Sequence, residues 1–192
     1  MRAEDVPAVR QIHLRAFPRF FLSFLGPKFL SQLYAGIVED ESGIAIVAAD
    51  GDAILGFVAG TTHTSGFYKR LISRRVVRFA LASVGSVIRR PSILPRLFRA
   101  LLLPSSKDAT GSALLMSLAV DPGQQGRGVG RLLNDAFLAE ALRRGSKSVI
   151  LTTDRLHNDS VNAFYERAGY RIARTFVTPE GRHMNEYEIA LH

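Results

Sequence analysis

The chain has 192 residues, 47% hydrophobic and 22% charged, with a net charge of +8 and no cysteine. That balance suits one globular domain over 1–192 with a sizeable core. It excludes disulfides, a thiol nucleophile and a cysteine metal site, and no metal is expected. The opening MRAEDVPAVRQ carries acids and no apolar h-region, so it does not read as a signal peptide. No apolar run approaches the roughly 18 residues of a membrane span. A reducing, cytoplasmic location is the expectation.

Asp5 followed by Pro7 marks a helix start, and Val6, Val9, Ile12, His13 and Ala16 share one face, so a helix is predicted to about Phe17. PRFFLSFL, 18–25, is strongly aromatic; it reads either as core packing or as one wall of an acceptor pocket. Gly26-Pro27 punctuates it before a second helix through Phe29, Leu30, Leu33, Tyr34 and Ile37. Two strands, 44–49 and 53–62, flank Asp50-Gly51-Asp52, a strong hairpin signal. A helical pattern covers 68–88, with a shorter one over 96–103. Ala113 to Val120 is a buried strand broken only by Ser117, and Asp121-Pro122 stops it. A helix runs from Val129 to about Arg144 and closes at Gly145; a second buried strand covers 149–153. Strand, helix, strand with short links makes a right-handed parallel βαβ unit. A helix from Asn158 or Asp159 to Ala168 and a hairpin of 170–177 with 183–190 complete the chain. The order predicts an α/β fold (an α+β-like mixed sheet), mostly antiparallel and twisted, with one central parallel βαβ pair, helices on both faces and a helical insertion.

Gln125-Gly126-Arg127-Gly128-Val129-Gly130 joins the central strand to its helix. The first backbone N–H groups of a helix lack internal partners, and the helix dipole adds positive potential. Glycines at 126, 128 and 130 permit positive φ and close approach, which together make an anion cradle. The alternative is a plain glycine-rich turn. No Lys-Ser/Thr follows, so an NTP site is disfavoured, and G-x-G-x-G spacing weakens a dinucleotide reading.

Asn158, Asn162 and Tyr165 are spaced i, i+4, i+7 and share one helical face. A core-facing stripe is normally apolar, so three hydrogen-bonding groups there point to a polar ligand. An N-cap beside a half-buried tyrosine explains them equally well.

The two stretches together, 113–170, resemble the GNAT superfamily of N-acetyltransferases. Gln-x-x-Gly-x-Gly after Val-Asp-Pro resembles its pyrophosphate loop, and Asn158 to Tyr170 resembles its N-x-x-A-x-x-F/Y-Y-E-x-x-G-F/Y motif, in the family's order. The resemblance implies a GNAT-type fold and transfer of an acetyl group from acetyl-CoA to a primary amine by direct attack. It implies that Leu118, Ala119 and Val120 pair with the pantetheine arm through backbone groups. Gln125, Gly126, Arg127, Gly128, Val129 and Gly130, with Arg131 behind, would hold the pyrophosphate. Asn158 and Asn162 would bind pantetheine and neighbouring coenzyme groups, and Tyr165, near the sulfur, would protonate the departing thiolate. Tyr165 argues against the alternative, a non-catalytic acyl-CoA-binding module or a basic adaptor.

Two departures stand out. Many members carry a glutamate on the central strand, whereas 113–118 holds no carboxylate; His63, His13 and Asp154 are candidates elsewhere, and a water relay is favoured as base. The family's first strand has only residues 1–3 available here, which leaves a sheet edge to be covered some other way.

Nine of the 25 basic residues lie in 67–104 with no acid among them, so the rest of the chain is nearly neutral. This segment reads as a solvated surface helix, as a site for an acidic acceptor such as a nucleotide-linked amino sugar, or as a membrane-surface helix. Its aromatics fall mostly on the apolar face, which argues against nucleic acid.

Overall fold

The computed structural model describes residues 1–18, 20–63, 67 and 111–192. The helices expected at 68–88 and 96–103, and the basic segment they form, lie outside the described residues. Helix α1 covers Val6–Ala16, α2 Phe21–Phe24 and α3 Pro27–Glu39; strands β1 (Gly43–Asp50), β2 (Ala53–Thr61) and β3 (Ser112–Val120) follow. Then come α4 (Val129–Arg143), β4 (Ser148–Asp154), α5 (Asp159–Arg167), β5 (Arg171–Val177) and β6 (His183–Ala190). One six-stranded sheet runs β1-β2-β3-β4-β6-β5. Among the described residues only β3 and β4 pair in parallel; every other ladder is antiparallel.

The sheet is covered on both faces, and alternation along β2 shows how. Phe57 and Ala59 join α1 and α3 residues Val9, Ile12, Leu30 and Tyr34 in one core. Val58 joins α4 residues Leu133 and Phe137, with Leu115, Val149, Leu151 and Tyr165, in the other. Two-sided burial is why β2 and β3 read as continuous apolar runs. Gly60 answers a packing need: a Cβ there would lie 2.7 Å from the Phe137 ring.

Within the aromatic segment Leu25 is buried in the α1–α3 core, whereas Phe20 and Phe24 are each 38% exposed. Asp5, expected to cap α1, has helical angles and instead accepts from the Arg2 backbone N–H at 2.6 Å, because a 3-10 turn over Ala3–Asp5 runs straight into the helix. The described sheet has no strand ahead of α1. β1 forms its edge, where the Met1 amino group donates to Ala45 O at 3.0 Å.

Candidate functional site

The site begins where a ladder stops. β3 and β4 pair only at Ser112–Ser148, Ala113–Val149 and Leu114–Ile150, although the strands run on to Val120 and Asp154. On its other side β3 pairs Ala59 with Ser117 and Gly60 with Leu115, so Met116 is an extra, bulged residue. A bulge bends and twists a strand. Here it falls just past the last β3–β4 pair, and the strands part into a cleft. Along 115–120 the β3 edge facing β4 has no strand partner among the described residues, an arrangement that suits an extended ligand.

Above the β3 end, Asp121 closes a 3-10 turn by accepting from Gly123 N at 3.1 Å, and its other oxygen accepts from Arg15 Nη1 at 2.7 Å. Gly126 (φ 76°) and Gly128 (φ 78°) are left-handed, with open space where a Cβ would be. Gly128 is the residue before α4 and has no side chain to cap it. The first amide bonded within the helix is that of Leu132, to Gly128 O at 3.1 Å, so the amides of 129–131 are left for a ligand. Gly130 departs from expectation. It is helical without positive φ, and a Cβ there would make ordinary contact with Phe164 at 3.6 Å and Val120 at 3.7 Å. Val129 is buried and packs α4 onto the sheet, while Gln125 is exposed. Arg127 Nη1 donates to Gln124 Oε1 at 2.5 Å, and Arg131 grips Asp135 through Nε at 3.0 and 2.9 Å.

On the β4 side, Asn158 is the residue before α5 but does not cap it. Its Nδ2 turns back to Thr153 Oγ1 (2.8 Å) and Asp154 O (3.0 Å). Asn162 Nδ2 donates to Asp154 O (3.2 Å) and Arg155 O (3.4 Å); its Oδ1 accepts from Tyr187 OH (3.2 Å) and Asn185 Nδ2 (3.4 Å). The shared face predicted for 158, 162 and 165 is therefore turned to β4 and β6, and both asparagines fasten the helix to the sheet.

Tyr165 sits among aromatic rings, with centroids 5.1 Å from Phe164, 5.4 Å from Tyr170 and 6.0 Å from Tyr187. Burial pushes its phenol well above the ordinary tyrosine value, so it holds its proton at neutral pH. The hydroxyl has no hydrogen-bond partner among the described residues and is not sealed from solvent. Its neighbours are engaged: Tyr170 OH donates to buried Asn134 at 3.1 Å, and Tyr187 OH also reaches Glu166 at 3.1 Å. Asn134 is a signal that sequence reading passed over, a polar residue on the apolar face of α4.

The candidate bases fare differently. His13 is fully buried, its Nδ1 2.6 Å from Tyr34 OH and its Nε2 sealed without a partner; burial lowers its pKa to about 4. Asp154 is held by Arg182 through bonds of 3.0 and 2.8 Å. His63 is exposed at the end of β2, 3.2 Å from Thr62 Oγ1.

The family model described as "Acetyltransferase (GNAT) family" matches residues 6–170. The fold is similar to that of the ribosomal-protein-S18-alanine N-acetyltransferase from Escherichia coli (TM-score 0.61, 17% identity, covering 100% of this chain and 90% of that one). It is similar also to Ard1 from Thermoplasma volcanium (TM-score 0.63, 16%, covering 100% and 95%). An aminoglycoside 6'-N-acetyltransferase complexed with coenzyme A matches with TM-score 0.59 at 13% identity, covering 98% and 89%. No curated protein matches the sequence. Among the described residues no helix is long and apolar enough to cross a membrane.

Proposed function

The chain belongs to the acetyltransferase (GNAT) family, and from that premise we propose that its single domain moves an acetyl group from acetyl-CoA to a primary amine by direct attack. The observation that carries the reading is the parting of β3 and β4 beyond Leu114–Ile150, beside an uncapped helix start and below a free, protonated tyrosine hydroxyl. A thioester has the three parts this arrangement suits. Its diphosphate would take the amides after Gly128. Its pantetheine amides would add to the free edge of Leu118, Ala119 and Val120, as an extra strand does. Its sulfur would lie near Tyr165.

In the reaction the amine nitrogen bonds to the thioester carbonyl carbon and the C–S bond breaks. Tyr165 gives its proton to the leaving thiolate, since expelling that charge unprotonated into a dry cleft is costly. A backbone N–H of Leu118 to Val120 would steady the developing oxyanion. The proton lost by the amine passes to water. No side chain is assigned as base: His13 is sealed in the core and Asp154 is held by Arg182. Asn158 and Asn162 act in this reading mainly by fixing α5, with the outer edge of Asn158 left for the coenzyme. The free hydroxyl favours an enzyme over a non-catalytic acyl-CoA-binding module, which has no use for a proton donor there.

Coenzyme A release, followed with a thiol reagent across amines, amino sugars and peptides, tests the proposal. Amine-dependent release with an N-acetylated product is expected. Tight acetyl-CoA binding without release for any amine would favour the binding-module reading.

A further inference from the structure

Tyr165 is 7% exposed and its hydroxyl bonds to no described residue, so only packing and backbone fix where the phenol points. Its neighbour Tyr170 holds it twice. The Tyr170 amide donates to Tyr165 O at 3.0 Å, closing the end of α5, and the two rings meet edge-on at 5.4 Å and 75°. Tyr170 is in turn fixed from the other helix. Its hydroxyl donates to Asn134 Oδ1 at 3.1 Å. Burial, with Tyr165 and Asp135 nearby, raises the Tyr170 pKa and keeps that donor proton in place. Asn134 is fully buried on the apolar face of α4, and its Nδ2 donates to Asp135 Oδ1 at 3.3 Å. Asp135 also accepts from Arg131 Nε, and Arg131 Nη1 reaches Arg167 O at 3.5 Å. These bonds close a ring between the first two turns of α4, whose ligand-facing amides follow Gly128, and the C-terminal end of α5. Tyr187, the other tyrosine beside Tyr165, bonds to Asn162 and Glu166 on α5 itself. Among the described residues, Tyr170–Asn134 is therefore the hydrogen bond that ties the ring cluster to α4.

A leucine at 134 and a phenylalanine at 170 would fill similar space without burying an amide and a hydroxyl. Replacing both members of a buried pair by apolar groups of similar shape is close to neutral for stability, so stability alone gives no reason for the pair. What a hydrogen bond adds is direction. Apolar rings slide over one another easily, whereas a bonded hydroxyl holds one orientation. We infer that Asn134 and Tyr170 are positioning residues for Tyr165: their hydrogen bond fixes the phenol relative to the α4 amides, so that its proton faces the thioester sulfur when the diphosphate occupies those amides. Proton transfer depends steeply on such placement, and an error of about 1 Å can slow a reaction about a hundredfold. The inference rests on the acetyltransferase reading with Tyr165 as its acid, so its test reads ring position and chemistry separately.

Tyr170→Phe, Asn134→Leu and the double variant are compared with wild type in the whole chain. Stability is measured by urea titration and acetyl-CoA affinity by calorimetry. Acetyl transfer to ethanolamine, an acceptor too small to depend on acceptor contacts, is followed in single turnovers by mass spectrometry. Ring position is read by fluorine NMR of 3-fluorotyrosine-labelled protein with coenzyme A, the Tyr165 signal being identified by its loss in Tyr165→Phe. Each single variant should slow transfer at least about tenfold, while acetyl-CoA affinity stays within about threefold. The double variant should be at least as stable as either single variant yet no faster, with the Tyr165 signal broadened or split. Should Asn134→Leu fold poorly, Tyr170→Phe, which removes one oxygen and keeps the ring, carries the test alone. A double variant that regains the wild-type rate along with its stability makes the pair merely structural and overturns the inference. An altered Tyr165 signal in the variants, with no transfer by wild type, keeps the positioning and overturns the acetyl transfer; wild-type transfer that Tyr170→Phe leaves unchanged does the reverse.

Discussion

His13 Nδ1 and the Tyr34 hydroxyl lie 2.6 Å apart inside the core that joins α1 to α3, while the other nitrogen of the same ring, Nε2, is buried without a partner. The ring packs edge-on to Phe17, with centroids 5.0 Å apart, and stacks at 6.5 Å from Phe57. Phe57 is the cross-strand neighbour of Ala119 on the parted strand, so this pair holds α1 against the sheet beside the cleft.

A pH dependence follows from that burial. The folded pKa of His13 is about 4, below the ordinary 6.5, because burial disfavours the charged ring. Above pH 6.5 both folded and unfolded chains carry it neutral, and it adds no pH dependence. Between pH 6.5 and 4 the unfolded chain takes up a proton that the folded chain refuses, so stability falls as pH falls. The slope from this one group approaches about 1.4 kcal/mol per pH unit. His13→Phe should flatten the loss between pH 7 and 5 in urea titrations, at a cost of about 1–3 kcal/mol at pH 7 for the lost His13–Tyr34 hydrogen bond. Identical acid sensitivity in the two proteins would show that other groups set it.

The glycines of the loop should not behave alike. Gly128→Ala forces a side chain into left-handed backbone, costing about 1–2 kcal/mol, and should weaken acetyl-CoA binding measured by calorimetry. Gly128→Glu adds charge and bulk at the amides and should abolish binding. Gly130→Ala sits in a helix with room for its methyl group and should leave melting temperature unchanged or raised. Wild-type affinity in Gly128→Glu would remove the loop from the coenzyme site.

Tyr165→Phe removes a hydroxyl that bonds to no described residue, so thermal stability should barely change. Single-turnover acetyl transfer should slow by roughly 10²–10⁴-fold, with acetyl-CoA affinity close to wild type. Because burial raises the phenol's pKa, wild-type activity should show no loss from tyrosine ionisation up to about pH 10. An unchanged single-turnover rate would mean that water protonates the thiolate.

Asn162→Leu breaks the links to Asp154 and Arg155 carbonyls and leaves Tyr187 and Asn185 with fewer partners. A loss of about 1–3 kcal/mol in chemical denaturation is expected. Unchanged stability together with a large loss of acetyl-CoA affinity would show instead that Asn162 contacts the coenzyme directly.

Local patterns reached far in this chain. Asp50-Gly51-Asp52 announced the hairpin, Gly26-Pro27 the start of α3, and Gly145 and Gly169 the ends of α4 and α5, because turn and cap chemistry depends on residues close in sequence. The order of apolar runs gave the mixed sheet, since a strand, helix and strand with short links can close in only one hand. The glycine loop and the Asn158–Tyr165 stripe were legible for the same reason: spacing along one element defines a face. What no spacing could say is which way a polar group turns. Asn158 and Asn162 bond inward to β4 and β6, and Asp154 is claimed by Arg182, 28 residues away along the chain. The cleft itself depends on Met116 bulging against β2, and Phe20 meets Arg182 of the turn between β5 and β6. Those relationships join residues far apart in sequence. They are decided by competition among all the partners that folding brings together, so only the tertiary structure could settle them.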